Sequence, residues 1–248
     1  AAYTEQVDVQ PLSIWTKLAY GAGDWGMASF GTLRQIFYAI FLTDVVGLEA
    51  RLASVAALVG VIWDAINDPI VGSLSDRVQT RWGRRRPFLL IFAIPFGLSF
   101  LLLWWAPPWE SQLALTVHVT LAFMISDTLQ TLLIVPFLSL TPEIAPDYDQ
   151  RTSVTGYRTV FNLLASLTAA VAAPMIQDVM VKAGYTAQQG YLVIAALFGG
   201  FATIPFLIMF FVIREPERSQ AVPESRTRLR DLMQTLWSNI PFRFAALL

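Results

Sequence analysis

The sequence predicts an all-α membrane protein with six transmembrane helices arranged as two inverted three-helix repeats. Three observations support this fold class. Hydrophobic residues make up 55% of the 248 positions, only 14% are charged, and six long apolar stretches alternate with short polar connections. Because soluble domains carry about 25% charged residues, this chain has too little charge to cover a surface that faces water.

Each predicted span contains roughly the 20 mostly apolar residues that are needed to cross a bilayer. The spans are residues 18–43, 52–75, 87–106, 112–140, 153–178 and 188–213. The corresponding domains are a cytoplasmic N-terminal segment (1–16), a six-helix bundle (17–213), a cytoplasmic connector with an amphipathic helix (214–239) and the start of a truncated seventh helix (240–248). This order is typical of the midpoint of twelve-helix transporters built from repeats. The alternative is that the last apolar residues are a natural hydrophobic C-terminus.

The distribution of Lys and Arg predicts the orientation, since cytoplasmic loops carry an excess of both. A cytoplasmic N-terminus leaves Arg51 and Lys182 outside. It places the following residues inside: Lys17, Arg77, Arg81, Arg84, Arg85, Arg86, Arg151, Arg214, Arg218, Arg226, Arg228, Arg230 and Arg243. We therefore expect a multi-pass protein of the plasma (inner) membrane, with Trp104, Trp105 and Trp109 in an outer interfacial belt.

Composition also excludes several function classes. The chain has no Cys, one His and a net charge of −1, which argues against disulfides, thiolate catalysis, a histidine metal centre and nucleic-acid binding. No nucleophile–base pattern is present, so we expect neither an enzyme nor a cofactor other than a coupling ion. The expected partners are the lipid bilayer, a small polar solute and the missing C-terminal half of the same protein.

Four sequence motifs resemble one transporter family. The loop between spans two and three reads GSLSDRVQTRWGRRRP (72–87), and it is preceded by WDAINDP (63–69), TKLAYGAG (16–23) and TDVVGL (43–48). The loop resembles the conserved cytoplasmic loop of the major facilitator superfamily. Together the motifs resemble the glycoside–pentoside–hexuronide:cation symporters of the melibiose permease group, with a loop similar to that of sucrose:proton symporters. The resemblance covers most of residues 16–166 and implies the N-terminal half of a major facilitator fold.

The same resemblance implies a gating role for the loop, which in this superfamily clamps the two halves together on the inner side. The gating residues are predicted to be Asp76, Arg77, Arg81, Gly83 and Arg84. Asp76, at the inner end of span two, is expected to pair with a loop arginine or a helix N-terminus. Arg85 and Arg86 are interpreted as residues that only retain the loop on the cytoplasmic side.

Six ionisable residues fall at membrane depth, where each costs about 2.5–3.5 kcal/mol on insertion scales and usually faces a cavity. They are Asp24, Arg34, Asp64, Asp68, Asp127 and Arg158. Such a set predicts a functional interior. The alternative is a set of neutralised structural pairs.

Asp64 and Asp68 are predicted to bind the coupling cation. Their i, i+4 spacing places both carboxylates on one helix face, and two adjacent carboxylates favour a shared proton or cation. Pro69 follows and removes one helical hydrogen bond, which frees a backbone carbonyl as a further oxygen ligand. The resemblance to melibiose permeases adds Thr131 of span four, and Asn67 lies beside the pair. The expected coupling ion is Na⁺, which would be bound by Asp64, Asp68 and Thr131 and is the only metal expected. A proton is the alternative coupling ion.

The residues that bind sugar in melibiose permeases do not carry over completely. Where those proteins have two Asp and one Trp, this chain has Ala28, Ile134 and Leu138. The predicted substrate-binding residues here are Asp24, Arg34, Asp127, Gln130 and Arg158. Arg158 matches an arginine that the family keeps in span five.

Residue depth predicts two charge clusters. The inner one contains Asp24, Asp68 and Arg158, and the outer one contains Arg34 with Asp64 and Asp127. Arg34 is expected either to receive a carboxylate or sulfate of the solute or to form a salt bridge with Asp64 or Asp127.

These observations favour a secondary transporter that couples sodium or proton entry to uptake of a sugar- or glycoside-like polar solute. Two alternatives remain open. The first is a carrier of a lipid-like or anionic solute on the same fold, and the second is a half-length membrane subunit that transports nothing.

Overall fold

Six long α-helices make up the part of the chain that the computed structural model describes, residues 12–213. They are α1 (Ile14–Ile40), α2 (Ala50–Arg77), α3 (Arg86–Leu103), α4 (Gln112–Ile144), α5 (Tyr148–Lys182) and α6 (Ala187–Val212), with a π-helical segment (Phe41–Val45) after α1. Within this range the only β-type pairing is an isolated bridge between Thr80 and Gly83. The predicted all-α class is therefore confirmed.

Five of these helices, α2 to α6, are long and apolar enough to cross a membrane. The remaining helix, α1, has 27 residues, which at 1.5 Å per residue gives about 40 Å. Its length is sufficient, but Lys17, Asp24 and Arg34 lie within it and lower its hydropathy. Two of these residues, Asp24 and Arg34, belong to the candidate site described below.

The helices pack as a series of neighbouring pairs. Helix α1 lies against α5 and α6 along much of its length, α3 lies against α6 and α4, and α2 packs mainly on α4. A close helix crossing joins α3 to α6 at Gly97 and Gly199, where a Cβ on either residue would collide with the backbone of the other. Phe30, Phe96 and Phe100 fill the core beside this crossing.

The helix ends differ most from the predicted spans around α5. The prediction ended span four at residue 140 and ran span five from 153 to 178, whereas α4 continues to Ile144 and α5 runs from Tyr148 to Lys182. Asp147 starts α5, since its carboxylate accepts from the backbone N–H groups of Asp149 and Gln150 at 3.1 and 3.2 Å. Hydropathy detects only the apolar part of a helix, whereas capping places the end in the polar interface.

The predicted N-terminal segment (1–16) ends too late, because α1 begins at Ile14 with Ser13 as its cap. The Ser13 hydroxyl accepts from the backbone N–H of Thr16 at 3.1 Å. The remainder of that segment before residue 12, the connector (214–239) and the truncated seventh helix (240–248) lie outside the described residues.

The tryptophans predicted for an outer belt separate into two groups. Trp105 and Trp109 are exposed, and their rings pack edge-on against His118 of α4. Trp104 is instead buried, stacked on Tyr191 with a centroid distance of 5.1 Å. The prediction for Trp104 is wrong because, at the C-terminal cap of α3, its side chain packs into the core against Phe41 and Tyr191.

Candidate functional site

An ion pair between Arg34 and Asp127 joins α1 to α4. The Arg34 Nη1 donates to Asp127 Oδ1 at 2.9 Å, and the Asp127 side chain is only 3% exposed. The guanidinium also lies over the rings of Phe30 and Phe123, 5.4 and 4.8 Å from their centroids. Of the two roles predicted for Arg34, the salt bridge to Asp127 is present in this conformation.

A second ion pair joins α1 to α5. Arg158 donates to both carboxylate oxygens of Asp24, from Nε at 2.6 Å and from Nη2 at 3.1 Å. The Arg158 guanidinium lies 4.7 Å from the ring centroid of Phe137, and the Tyr20 hydroxyl donates to the Phe137 carbonyl. Because two nitrogen atoms of Arg158 contact the two oxygen atoms of Asp24, the pair fixes the orientation of both side chains and also neutralises their charges.

The predicted cation-binding residues lie where α2 packs on α4. Thr131 Oγ1 is 3.2 Å from Asp68 Oδ1 and 3.1 Å from the Asp127 carbonyl, so its one proton is shared between two acceptors. Asn67 is buried beside them, and within residues 12–213 its Nδ2 has no hydrogen-bond acceptor. The helix pair is held in register by Trp63, whose Nε1 donates to Thr128 Oγ1 at 3.0 Å.

Asp64 lies one helical turn before Asp68, beside Asp127 and close enough for direct electrostatic interaction with it. Both α2 carboxylates are exposed when this chain is considered alone. In the described part of the chain, no three His, Cys, Asp or Glu side chains are grouped closely enough to hold a metal ion by themselves. An ion here would therefore need hydroxyl or carbonyl oxygens in addition to carboxylates, as the predicted set with Thr131 provides.

The prediction of two charge clusters needs one correction. Asp24 with Arg158, and Arg34 with Asp127, form as expected. Asp68 does not join Arg158 but contacts Thr131 of α4, because α2 packs on α4 whereas Arg158 lies on α5 facing α1. Depth along the membrane normal placed these residues at one level but did not indicate which helices are neighbours.

A cavity of about 660 Å³ opens between α1, α2 and α4. It is lined by Gly31, Arg34, Gln35, Tyr38, Ala39, Leu42, Thr43, Ala50, Ala53, Ser54, Ala56, Ala57, Val119 and Phe123. Of the predicted substrate-binding residues only Arg34 lines it, and Gln130 is half-buried on α4. Tyr38 is a residue that the sequence prediction missed; its hydroxyl is buried and has no hydrogen-bond partner in the described part of the chain. The sequence indicates Tyr38 through its i, i+4 spacing from Arg34, which places the two side chains on the same face of α1.

The loop between α2 and α3 forms an ionic network with the C-terminal end of α4. Asp76 Oδ1 lies 3.6 Å from Arg85 Nη2, as expected for pairing with a loop arginine. Glu143 of α4 receives Arg85 Nε at 3.0 Å and Arg84 Nη2 at 3.5 Å. The Arg86 guanidinium donates to the Phe210 carbonyl of α6.

Arg85 and Arg86 therefore do more than retain the loop on one side, and that interpretation is wrong. Arg85 is buried and, at the start of α3, forms ion pairs with Asp76 of α2 and Glu143 of α4. Glu143 was not predicted because it fell in an expected connection.

The other predicted gating residues have simpler surroundings. Gly83 has a φ of 104° and closes the turn with Thr80, a conformation that favours glycine. Arg81 is exposed, and its guanidinium carbon lies 4.6 Å from the ring centroid of Trp82. Arg77 is the last residue of α2 and is also exposed.

Comparison with known proteins identifies the family. The model of the family described as MFS/sugar transport protein matches residues 19–248. The inner membrane symporter YicJ of Escherichia coli is 28% identical over 96% of this chain and 50% of its own length. The putative glycoside/cation symporter YagG of the same organism is 28% identical over 86% of this chain and 46% of its own. Sodium-dependent lysophosphatidylcholine symporter 1-A of Danio rerio is 37% identical over 62% of this chain and 29% of its own.

The chain thus spans half or less of the length of these relatives. Its apolar helices and its relatives agree on a multi-pass membrane protein of a transporter family. Since the family match extends over nearly all of the sequence, the chain belongs to the MFS/sugar transport proteins, in the group that contains the glycoside–cation symporters.

Proposed function

We propose that this chain is the N-terminal part of a cation-coupled secondary transporter that takes up a sugar- or glycoside-like polar solute by alternating access. The observation that supports it best is the contact between Asp68 and Thr131 at 3.2 Å. It brings a carboxylate and a hydroxyl together between two apolar helices, where hard cations find the oxygen ligands they prefer. The glycoside/cation name printed for a relative agrees with this class.

In this proposal Asp64, Asp68, Thr131 and Asn67 bind the coupling ion, with Na⁺ as first choice and H⁺ as the alternative. Asp24, Arg34, Asp127, Gln130 and Arg158 form or position the solute site. The residues Asp76, Arg77, Arg81, Gly83 and Arg84 gate the inner side, and Arg85 and Glu143 are added to them because of the network they form.

The proposed topology has six spans, including α1, in two inverted repeats with a cytoplasmic N-terminus in an inner membrane. The excess of Arg at the α2–α3 connection supports this orientation. The partner of the bundle is a second six-helix half, reached through the connector (214–239) and a seventh helix that begins near residue 240.

A second candidate, a carrier of a lipid-like or anionic solute, is favoured by the cavity. Its lining is mostly apolar with a single guanidinium from Arg34, which would suit an apolar body with an anionic group. The sodium-dependent lysophosphatidylcholine symporter among the relatives agrees with this class.

The first prediction tests the transport activity itself. The full-length polypeptide that contains this chain is reconstituted in proteoliposomes, and uptake of radiolabelled glycosides is measured with a sodium gradient, a proton gradient or neither. We expect one gradient to raise initial uptake at least about fivefold, a typical coupling between two sites. Gradient-independent uptake, or no uptake of any solute including lysophospholipids, would leave a non-transporting membrane subunit as the function.

A further inference from the structure

The two carboxylate oxygens of Asp127 have different surroundings. Oδ1 accepts from Arg34 at 2.9 Å, whereas Oδ2 is buried and has no hydrogen-bond donor within residues 12–213. The Asp64 carboxyl lies beside Asp127. A buried carboxylate oxygen without a donor, close to a second carboxylate, is costly unless a cation is shared between them.

Asp127 is also connected to the Asp68–Thr131 contact. Its backbone carbonyl accepts from Thr131 Oγ1, and the same hydroxyl contacts Asp68. On α2, Pro69 has no N–H, so the Ala65 carbonyl one turn earlier lacks its helical partner. Both helices therefore carry further oxygen atoms within about one turn of Asp64 and Asp127.

Arg34 connects Asp127 to the cavity. Its guanidinium lines the cavity and is 29% exposed, while the same guanidinium holds Asp127 Oδ1. Asp127 is thus the residue that contacts a cavity-lining cation on one side and the carboxylates of the proposed ion site on the other.

We propose that Asp127 is a further ligand of the coupling ion and that Arg34 is a built-in competitor that holds Asp127 while the ion is absent. This inference rests on the proposed function. A cation that enters between Asp64 and Asp127 draws the Asp127 carboxylate away from Arg34. The released guanidinium then becomes available to an anionic or hydroxyl-rich group of the solute in the cavity. Because linkage is reciprocal, a solute that occupies Arg34 raises the affinity for the ion by the same factor.

A competitor has a distinctive effect on ion affinity. Replacing Arg34 by Gln removes the competition and raises sodium affinity in the absence of solute. Replacing Asp127 by Asn removes a ligand and lowers it. In the Asp127→Asn background the Arg34→Gln change has no further effect, since nothing remains to compete for. If Arg34 acted only through its electric field, the Arg34→Gln change would raise sodium affinity equally in both backgrounds.

The second prediction is therefore a double-mutant cycle on the purified full-length protein, with NaCl titrated against choline chloride at constant ionic strength. Binding is followed by tryptophan fluorescence, for which Trp63 beside Asp64 is a local reporter, and by sodium-dependent thermal stabilisation. We expect Arg34→Gln to raise sodium affinity about fivefold or more, Asp127→Asn to lower it by a similar factor, and the double variant to match Asp127→Asn.

Two further variants keep the test decisive. Arg34→Lys retains the charge and should bind sodium as the unsubstituted protein does, even if Asp127→Asn fails to fold. Lys182→Gln removes the cation of an exposed ion pair with Asp178 far from the site and should have no effect. Equal effects of Arg34→Gln in both backgrounds, or a loss of sodium affinity in that single variant, would overturn the inference alone. An unsubstituted protein that binds no sodium would overturn the proposed sodium site and the inference together.

Discussion

Four charged side chains on α1, α4 and α5 form two ion pairs across the bundle, Arg34 with Asp127 and Asp24 with Arg158. Both acids are buried, and both guanidinium groups also lie over aromatic rings. Pairing offsets much of the cost of a charge at membrane depth, whereas removal of one partner typically costs about 3–5 kcal/mol. The carboxylates of α2 differ, because Asp68 is held by a hydroxyl and Asp64 lies beside another acid.

The third prediction concerns these α2 carboxylates. Asp68→Asn should abolish cation-stimulated uptake in the full-length protein, because the amide keeps the size of the side chain but removes the charge that attracts the ion. Asp64→Asn should do the same or change the coupling ion. The measurement is solute uptake against sodium concentration and pH, with Asp178→Asn on the exposed surface of α5 as the matched control. Unchanged cation stimulation in both variants would leave Asp64 and Asp68 with a structural role.

The sequence predicted which charged residues of the spans need compensation better than it predicted their partners. Asp24, Arg34, Asp127 and Arg158 were predicted because a charge inside an apolar stretch needs compensation. Spacing of i, i+4 fixes the face of one helix but not the neighbour of that face. Asp68 was therefore placed with Arg158, and the Arg34–Asp127 pair, 93 positions apart, remained one of two alternatives.

The ends of the helices were predicted less well than their apolar middles. The residues at these ends are polar, so hydropathy does not assign them to a helix. Arg85 caps the start of α3, Arg86 is its first residue, and the last turn of α4 carries Glu143. Hydropathy assigned both to connections, so the network between them was missed. Buried Arg85 with Asp76 and Glu143 links three helices at one end of the bundle, which is the geometry expected of an inner clamp.

The fourth prediction tests this clamp. Arg85→Gln should shift the full-length protein toward its inward-open state, because Asp76 and Glu143 lose a shared partner, although Glu143 keeps Arg84. A shift of about tenfold in the conformational equilibrium corresponds to about 1.4 kcal/mol. It is measured as faster labelling of a cysteine introduced into the inner cavity, with exposed Arg51→Gln at the start of α2 as the control.

Glu143→Gln should shift the equilibrium in the same direction, and the double variant should shift it less than the sum of the two, since the residues act through one contact. Strictly additive shifts, or no shift in either variant, would mean that the network only supports folding.

In the whole bundle, α2 and α5 are the least buried of the five helices that are apolar enough to span. Both expose long aliphatic rows, for example Leu163, Leu167 and Val171 on α5. Bilayer lipid and a second helical half are the two environments that suit such faces. The chain spans half or less of its relatives, and we expect the second half to cover the site side of α2, where Asp64 and Asp68 are exposed.

The number of spans is the property of the whole molecule on which all these proposals depend. Composition supports five spans and leaves α1 as the proposed sixth, since Lys17, Asp24 and Arg34 lower its hydropathy. If α1 spans, the residues before it and those after it lie on opposite sides of the membrane. If it does not, both lie on the same side.

The fifth prediction tests this by cysteine accessibility, which is convenient because this chain has no cysteine of its own. Single cysteines are introduced at exposed positions, with any cysteine elsewhere in the full-length protein replaced. The inner set is Trp15, Gln79 and Pro146, and the outer set is Glu49, Glu110 and Tyr185. In intact cells a membrane-impermeant maleimide should label the outer set alone, and after permeabilisation it should label both. The Trp15 and Glu49 pair decides the role of α1: labelling of both from the same side would remove the sixth span, and with it the placement of Asp24 and Arg34 at membrane depth.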